Sequence, residues 1–216
     1  MISIIRIETQ ENPEMLWNNI LENKEILQNA FRNKGKLLYL SKRRNYKEAS
    51  LSVHVAEPNI LGNFIAHNLA KLKEVTSIWL INMLKPSFFP LPKDTRHMKR
   101  YIITLKIFPS RLDELYDMIS NMDYPEWIKL VYVAYTFHLF TDSIQFSILS
   151  EKEDAELNKY INVNIDNIPG VLKSTVFEIE KTYPFISYKE WKDYSSQHPM
   201  PIEWDERYMI ASFHES

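Results

Sequence analysis

The sequence predicts an α+β protein made of two βαββαβ units in tandem. Three observations predict it. Short β-branched runs and helix-spaced apolar stretches alternate in the same order twice. A proline-rich break, Pro86, Pro90 and Pro92, separates the two passes. The chain of 216 residues, 45% hydrophobic and 25% charged, has the length and composition of a globular protein with one or two cores.

The first pass begins with a strand, Ile2 to Ile7. Asn12-Pro13-Glu14 then reads as a helix start, with Asn12 as cap and Pro13 at the first helical position. Leu16, Trp17, Ile20, Leu21, Leu27 and Phe31 carry helical spacing to a stop at Gly35. Lys36 to Ser41 reads as a strand, followed by a polar hairpin. Leu51, Val53 and Val55 alternate with Ser50, Ser52 and His54, the pattern of a half-buried strand. Pro58 opens a second helix carrying Ile60, Leu61, Phe64 and Ile65, and Val75 to Leu84 closes the unit as a strand.

The second pass repeats the order. Tyr101 to Phe108 is a strand, Pro109-Ser110 opens a helix through Leu112, Leu115, Tyr116 and Ile119, and two strands follow within 127–139 and 143–149. Ser150 is expected to cap a helix whose acidic start, Glu151, Glu153, Asp154 and Glu156, suits the helix dipole. Pro169-Gly170 turns the chain into a last strand, Val171 to Ile179. The expected organisation is a first unit over 1–90, a linker over 91–100, a second unit over 101–183 and an aromatic extension over 184–216. Tyr188 to Trp191 is expected to form a short helix in that extension, which packs on the body or on a partner.

Composition excludes several classes. With no cysteine there is no disulfide, thiolate metal site or thiol nucleophile. Three glycines, Gly35, Gly62 and Gly170, cannot build a Gly-rich phosphate cradle. A net charge of −2 lacks the overall basic footprint of a nucleic-acid binder. No apolar run is long enough to span a bilayer, and the opening residues do not read as a signal peptide, so the expected location is the cytoplasm, with no membrane partner.

Val131 to Glu180 resembles the effector domain of the Lrp/AsnC family. The resemblance is carried by Asn167-Ile168-Pro169-Gly170-Val171-Leu172-Lys173-Ser174-Thr175-Val176-Phe177-Glu178-Ile179, the turn and last strand of that domain. It implies two ferredoxin-like units packed sheet to sheet as a pseudo-dimer, in the manner of a dimeric α+β barrel. It also implies homo-oligomers and a small metabolite such as an amino acid as ligand. The family's helix-turn-helix is missing, so any DNA reading would come from a helix-turn-helix protein partner; direct DNA binding is not expected. The family's Gly-containing ligand turn is replaced by the bulky, Gly-free run from Ala134 to Asp142.

Candidate ligand residues are Tyr132, Tyr135, His138 and Asp142, where a carboxylate four positions from a histidine could orient it for acid–base work, and His54 on the alternating strand. The plainer reading of the first group is a turn held by local hydrogen bonds. Arg43, Arg44 and Lys47, beside Lys42 and Tyr46, form a basic hairpin that could grip phosphate, or serve simply as a solvated tip. No His-x-x-x-His or Glu-x-x-His spacing occurs, so neither a metal site nor a cofactor is expected. The leading expectation is a non-enzymatic sensory or regulatory module resembling the Lrp/AsnC effector domain. The second is an enzyme of the dimeric α+β barrel type acting on haem, another tetrapyrrole or an aromatic substrate, similar to sirohaem decarboxylases. The third is a purely structural interaction protein.

Overall fold

The computed structural model describes residues 2–89, 95, 97–138 and 141–197; at 88, 137, 138, 141, 142, 188, 191, 192 and 195 it describes the backbone alone. The described chain divides into two compact units, 2–83 with 180–197, and 84–179.

The first unit runs β1 (Ile2–Thr9), α1 (Pro13–Glu22), α2 (Lys24–Asn29), β2 (Gly35–Arg43), β3 (Glu48–Val55), α3 (Pro58–His67) and β4 (Val75–Phe88, of which the part to Met83 lies here). Its antiparallel sheet has the order β2-β3-β1-β4. Register is set by the apolar positions: Leu51 of β3 stands between Leu40 of β2 and Ile5 of β1. A slip of one residue would send every one of these side chains to the opposite face. Ile5, Ile7, Leu37, Leu40, Leu51 and Val53 form a core with Leu16 and Ile20 of α1 and Phe64 of α3.

Asn12 caps α1 as its sequence suggests, its side chain accepting from Glu14 N at 3.0 Å. The single helix expected through Phe31 is instead broken at Asn23, whose Nδ2 donates to Asn19 O at 2.8 Å and so satisfies a carbonyl at the helix end. Gly35 does not stop the second piece. Arg32 and Asn33, both left-handed at φ 49° and 65°, end it, and Gly35 opens β2. A Cβ at Gly35 would lie 2.6 Å from the Phe31 ring and 2.9 Å from His54 O, so glycine is what lets that ring lie against the strand.

The second unit runs β5 (Lys99–Ile107), α4 (Leu112–Asn121), β6 (Ile128–His138), β7 (Thr141–Ser150), α5 (Asp154–Asn164) and β8 (Val171–Pro184, of which the part to Ile179 lies here). Its sheet order is β8-β5-β7-β6, again antiparallel. Ile103, Leu105, Val133, Ile144, Phe146 and Ile148 pack against Leu115 and Ile119 of α4 and Leu157 and Ile161 of α5. Helix α5 starts at Asp154 rather than after Ser150, because Ser150 Oγ accepts from Lys152 N at 3.1 Å and holds a turn of its own. Gly170 takes φ 101°, a backbone that side chains rarely adopt.

Two expected boundaries move. Pro86 does not end β4; it lies beyond the ladder with β1, which stops at Met83, and Lys85 before it bends the strand with φ 44°. Pro90 and Pro92 fall outside the described residues. The expected short helix in the extension is a ten-residue helix, α6 (Tyr188–Gln197). It begins with a reciprocal cap: Glu190 Oε2 accepts from Ser187 N at 2.7 Å and Glu190 N donates to Ser187 Oγ at 3.3 Å. Ile186 and Tyr194 are buried, and Phe185 N donates to Leu38 O at 3.0 Å within the first unit. Trp204, Tyr208 and Phe213 of the extension lie outside the described residues.

Substituting Gly35→Ala is expected to cost about 1–3 kcal/mol, since the Phe31 ring or the strand must shift. Urea denaturation checks this; an unchanged midpoint would show that the close approach is not enforced.

Candidate functional site

In each sheet the face turned away from the helices carries polar side chains that are nonetheless buried. On the first unit that face is read from the register. It holds Glu48, Ser50, Ser52 and His54 on β3, Tyr39, Ser41 and Arg43 on β2, and Ile4, Arg6 and Glu8 on β1. Period-two alternation places them there while Ala49, Leu51, Val53 and Val55 enter the core. Serines in such a position are unexpected, because a buried hydroxyl needs a partner to offset its lost hydration. Ser41 Oγ finds Ser50 O at 3.4 Å.

One end of the face is ionic. Arg43 donates through Nε and Nη2 to the two carboxylate oxygens of Glu48, a fork-to-fork pair whose side chains are 6% and 4% exposed. Arg6 Nε approaches the same carboxylate at 3.6 Å, too far for a hydrogen bond, and that nitrogen is buried without an acceptor among the described residues. Burial, and then the neighbouring Arg43 charge, pull the Arg6 pKa below its usual value. Two guanidiniums thus share one carboxylate; Glu8 lies on the same strand face, half-buried, and adds only a more distant attraction. Tyr46 covers Arg43 with its ring centroid 4.2 Å from the guanidinium carbon.

The other end is a histidine–tyrosine couple. His54 is 6% exposed, and its Nδ1 lies 2.8 Å from the Tyr194 hydroxyl of α6. Burial pushes the Tyr194 pKa up to about 12, so the phenol is neutral at ordinary pH. The donor in this contact follows the His54 tautomer: with the ring proton on Nδ1 the imidazole donates to the Tyr194 oxygen and Nε2 keeps a lone pair. Lys36 Nζ stands 5.8 Å from the Tyr194 ring centroid. Arg6 is opposite Ser50, and Ile2 opposite His54, so the Arg6 and His54 backbones are roughly 13 Å apart along the sheet at about 3.3 Å per residue.

The residues proposed from sequence are distributed as follows. His54 is on this face. Arg43 belongs to the buried pair, Arg44 is exposed, and Lys47 Nζ donates to Gln10 O at 2.8 Å. Tyr132 and Tyr135 lie in the second unit on opposite faces of β6. Tyr132 Oη accepts from Gln145 Nε2 at 2.6 Å on the polar face. Tyr135 is in the helix-side core, 4.7 Å from the Tyr116 ring, and its hydroxyl donates to Asp113. His138 and Asp142 pair with Thr141 and Phe137 across the hairpin, and their side chains lie outside the described residues. Arg6, Glu48 and Tyr194 were missed; the alternation around Arg6 and the Ser187–Glu190 cap before Tyr194 were the signals available.

Comparison with known proteins places this arrangement in a fold class. No family model matches the sequence, and no curated protein matches it. Solved structures do match. A Lactobacillus acidophilus protein assigned as a monooxygenase superposes with a TM-score of 0.51 at 10% identity, covering 85% of this chain and 95% of its own. A chlorite dismutase variant from Candidatus Nitrospira defluvii gives 0.51 at 11% identity, covering 83% and 91%. The fold is α+β with antiparallel sheets, of the dimeric α+β barrel type. At these identities the likeness carries the fold alone.

Two expectations are corrected by this result. The Lrp/AsnC resemblance of Val131 to Glu180 is carried through as fold, but the family identity is not supported by the proteins that match. The non-enzymatic regulatory module, with its transcriptional role, is overturned because the matching folds are a monooxygenase-assigned protein and a chlorite dismutase. The Pro169-Gly170-Val171 joint follows from backbone geometry that any such unit can use, here φ 101° at Gly170, and does not specify the family.

A haem iron was weighed from sequence and needs an axial donor facing an apolar slot. Among the described residues no group of three or more His, Asp or Glu side chains is arranged to hold a metal ion. His54 stands in a row of hydroxyls with Nδ1 at Tyr194, His67 is exposed on α3, and His97 lies 3.4 Å from Glu151 at the surface. The side chain of His138, the other histidine considered for that role, lies outside the described residues.

Two outcomes test the site's energetics. Glu48→Gln leaves both arginines without their carboxylate and is expected to cost about 3–5 kcal/mol in denaturant unfolding. The Tyr194 phenol is held neutral in the fold, so its contribution is complete below the ordinary pKa of 10.0 and is lost as pH rises towards about 12. A Tyr194→Phe variant should therefore lose less stability than the wild type over that window, measured by thermal melts at stepped pH.

Proposed function

We propose that this chain is an enzyme of the dimeric α+β barrel type acting on an aromatic substrate that carries an acidic group. The substrate would lie along the polar face of the first unit's sheet. Its anionic group would meet Arg6 and Arg43, and an acidic O–H or C–H would meet His54. The observation that carries this reading is the buried Arg6 Nε, which has no hydrogen-bond acceptor among the described residues, since the Glu48 carboxylate is already engaged by Arg43. A buried donor left unmade costs about 1–3 kcal/mol, more for a charged group, and an incoming carboxylate would satisfy it. The enzymes that share the fold support the same class of function.

The residues divide the work by their chemistry. Arg6 supplies charge-assisted hydrogen bonds and sets orientation. Ser50, Ser52 and Tyr39 line the path between the two ends with hydroxyls. His54 would take the substrate proton at Nε2, with Tyr194 accepting from Nδ1–H to hold that tautomer.

Hydroxynaphthoate is a suitable probe because its fluorescence reports both binding and ionisation. Arg6→Gln is expected to weaken binding at least about tenfold, equivalent to about 1.4 kcal/mol. His54→Gln should bind the probe but fail to ionise it. Equal binding of the neutral hydroxynaphthalene, or an unchanged affinity in Arg6→Gln, would overturn the proposal.

A further inference from the structure

A second candidate site lies on the helix side of the first unit, away from the polar sheet face. The turn after α2 and the exposed side of α3 enclose a cleft of about 640 Å³, lined by Phe31, Arg32, Lys34, Ile60, Asn63 and His67 among others. That volume is within the range of small-molecule sites, roughly 300–1,000 Å³. Ile60, Asn63, Phe64 and His67 come from one face of α3 because they are three or four positions apart.

The charge of this cleft is one-sided. Arg32, Lys34 and His67 line it, Asn63 and Asn68 add carboxamides, and no carboxylate does. A neighbouring cleft of similar size, about 600 Å³, mixes Lys71 and Lys73 with Glu22 and Glu74, so a carboxylate-free lining is not the rule on this surface. The whole chain carries −2, which makes a local excess of cations a property of the place rather than of the composition. Lys34 reaches Glu57 at 3.6 Å from outside the cleft, an exposed contact that water and salt screen.

The cleft is also built, not merely left between two loops. Its floor is the Phe31–Phe64 stack, with ring centroids 4.3 Å apart and both rings buried. The stack depends on Gly35, against which the Phe31 ring lies. The left-handed backbone at Arg32 and Asn33 then brings Arg32 to the rim.

We propose that this cleft binds a small organic oxyanion. Its charged group, a carboxylate or a phosphate ester, would be held by Arg32 and His67 with Asn63, and its compact apolar body would rest on Ile60 and Ala30. Guanidinium and imidazole donors suit either oxyanion, and the experiment separates the two sources.

The test is isothermal titration of the full chain at low salt with benzoate, phenyl phosphate and inorganic phosphate. Phenol serves as the neutral control, and the variants are Arg32→Gln and His67→Gln. These surface substitutions leave the core untouched, and a matched thermal melt confirms folding. Binding of benzoate or phenyl phosphate, weakened at least about tenfold in Arg32→Gln and left unchanged in Lys73→Gln of the neighbouring cleft, supports the site. The preferred probe names the oxyanion. Binding unaffected by Arg32→Gln, phenol binding as tightly as benzoate, or no binding of any anion overturns it. Because benzoate also suits the sheet-face proposal, the titration is repeated in an Arg6→Gln background, where an Arg32-dependent component that persists belongs to this cleft and its loss overturns the cleft alone.

Discussion

The pairing of Arg43 with Glu48 is the interaction on which the polar face of the first unit depends. Both side chains are almost fully withdrawn from water, and the two residues flanking the β2–β3 turn supply one each. A buried charge pair is weak evidence for stability, because desolvation offsets most of its attraction. Its effect is on arrangement. It fixes the Glu48 carboxylate at the mouth of the face, where Arg6 can approach but not satisfy itself. An apolar pair would pack as well and leave no charge there. The conflict between stability and an ionic interior is of the sort that functional sites sustain.

The helix-side cores impose the opposite constraint. Leu51, Val53 and Ile5 in one unit, and Ile103, Phe146 and Ile148 in the other, are fully buried and lock the register of each sheet. Once register is fixed by apolar burial, the polar residues between them have no freedom to leave the opposite face. The serine row, His54 and the ion pair are thus held by packing that none of them contributes to. In the first unit, the return of β8 adds a further tie: Glu14 accepts from Lys42 and Lys181, each at 2.5 Å, and Lys181 lies over the Trp17 ring. Those contacts bring the chain to α6 and so bring Tyr194 to His54.

Alternation and helical spacing make most elements legible in the sequence. Asn12-Pro13, Pro58 and Pro169-Gly170 act in the structure as local chemistry says they should. Elements were misplaced where one side chain chose a local partner. Asn23 turned to Asn19 and split a helix, Ser150 held its own turn, and Lys85 absorbed a bend that let β4 pass Pro86. The site was less legible. His54 was visible as an outward residue of an alternating strand, yet outward proved to be buried. Tyr132 and Tyr135 looked like neighbours, but three positions along a strand, with a bulge just before Tyr132, put them on opposite faces. The Lrp/AsnC resemblance reached the fold and not the family for a related reason: a helix–Pro-Gly–strand joint records how a chain turns, not what its sheet holds.

By itself the sequence determined the α+β class, the repeated strand–helix order and the exclusion of thiol chemistry and Gly-rich phosphate loops. These depend on periodicity and composition, which act over a few residues and can be read along the chain. Only the tertiary structure decided that the alternating polar residues are buried, that Arg6 and Arg43 converge on Glu48, and that Tyr194 meets His54 across 140 positions of sequence. Such juxtapositions are set by long-range strand pairing and by the path of the last helix, and no local pattern encodes them.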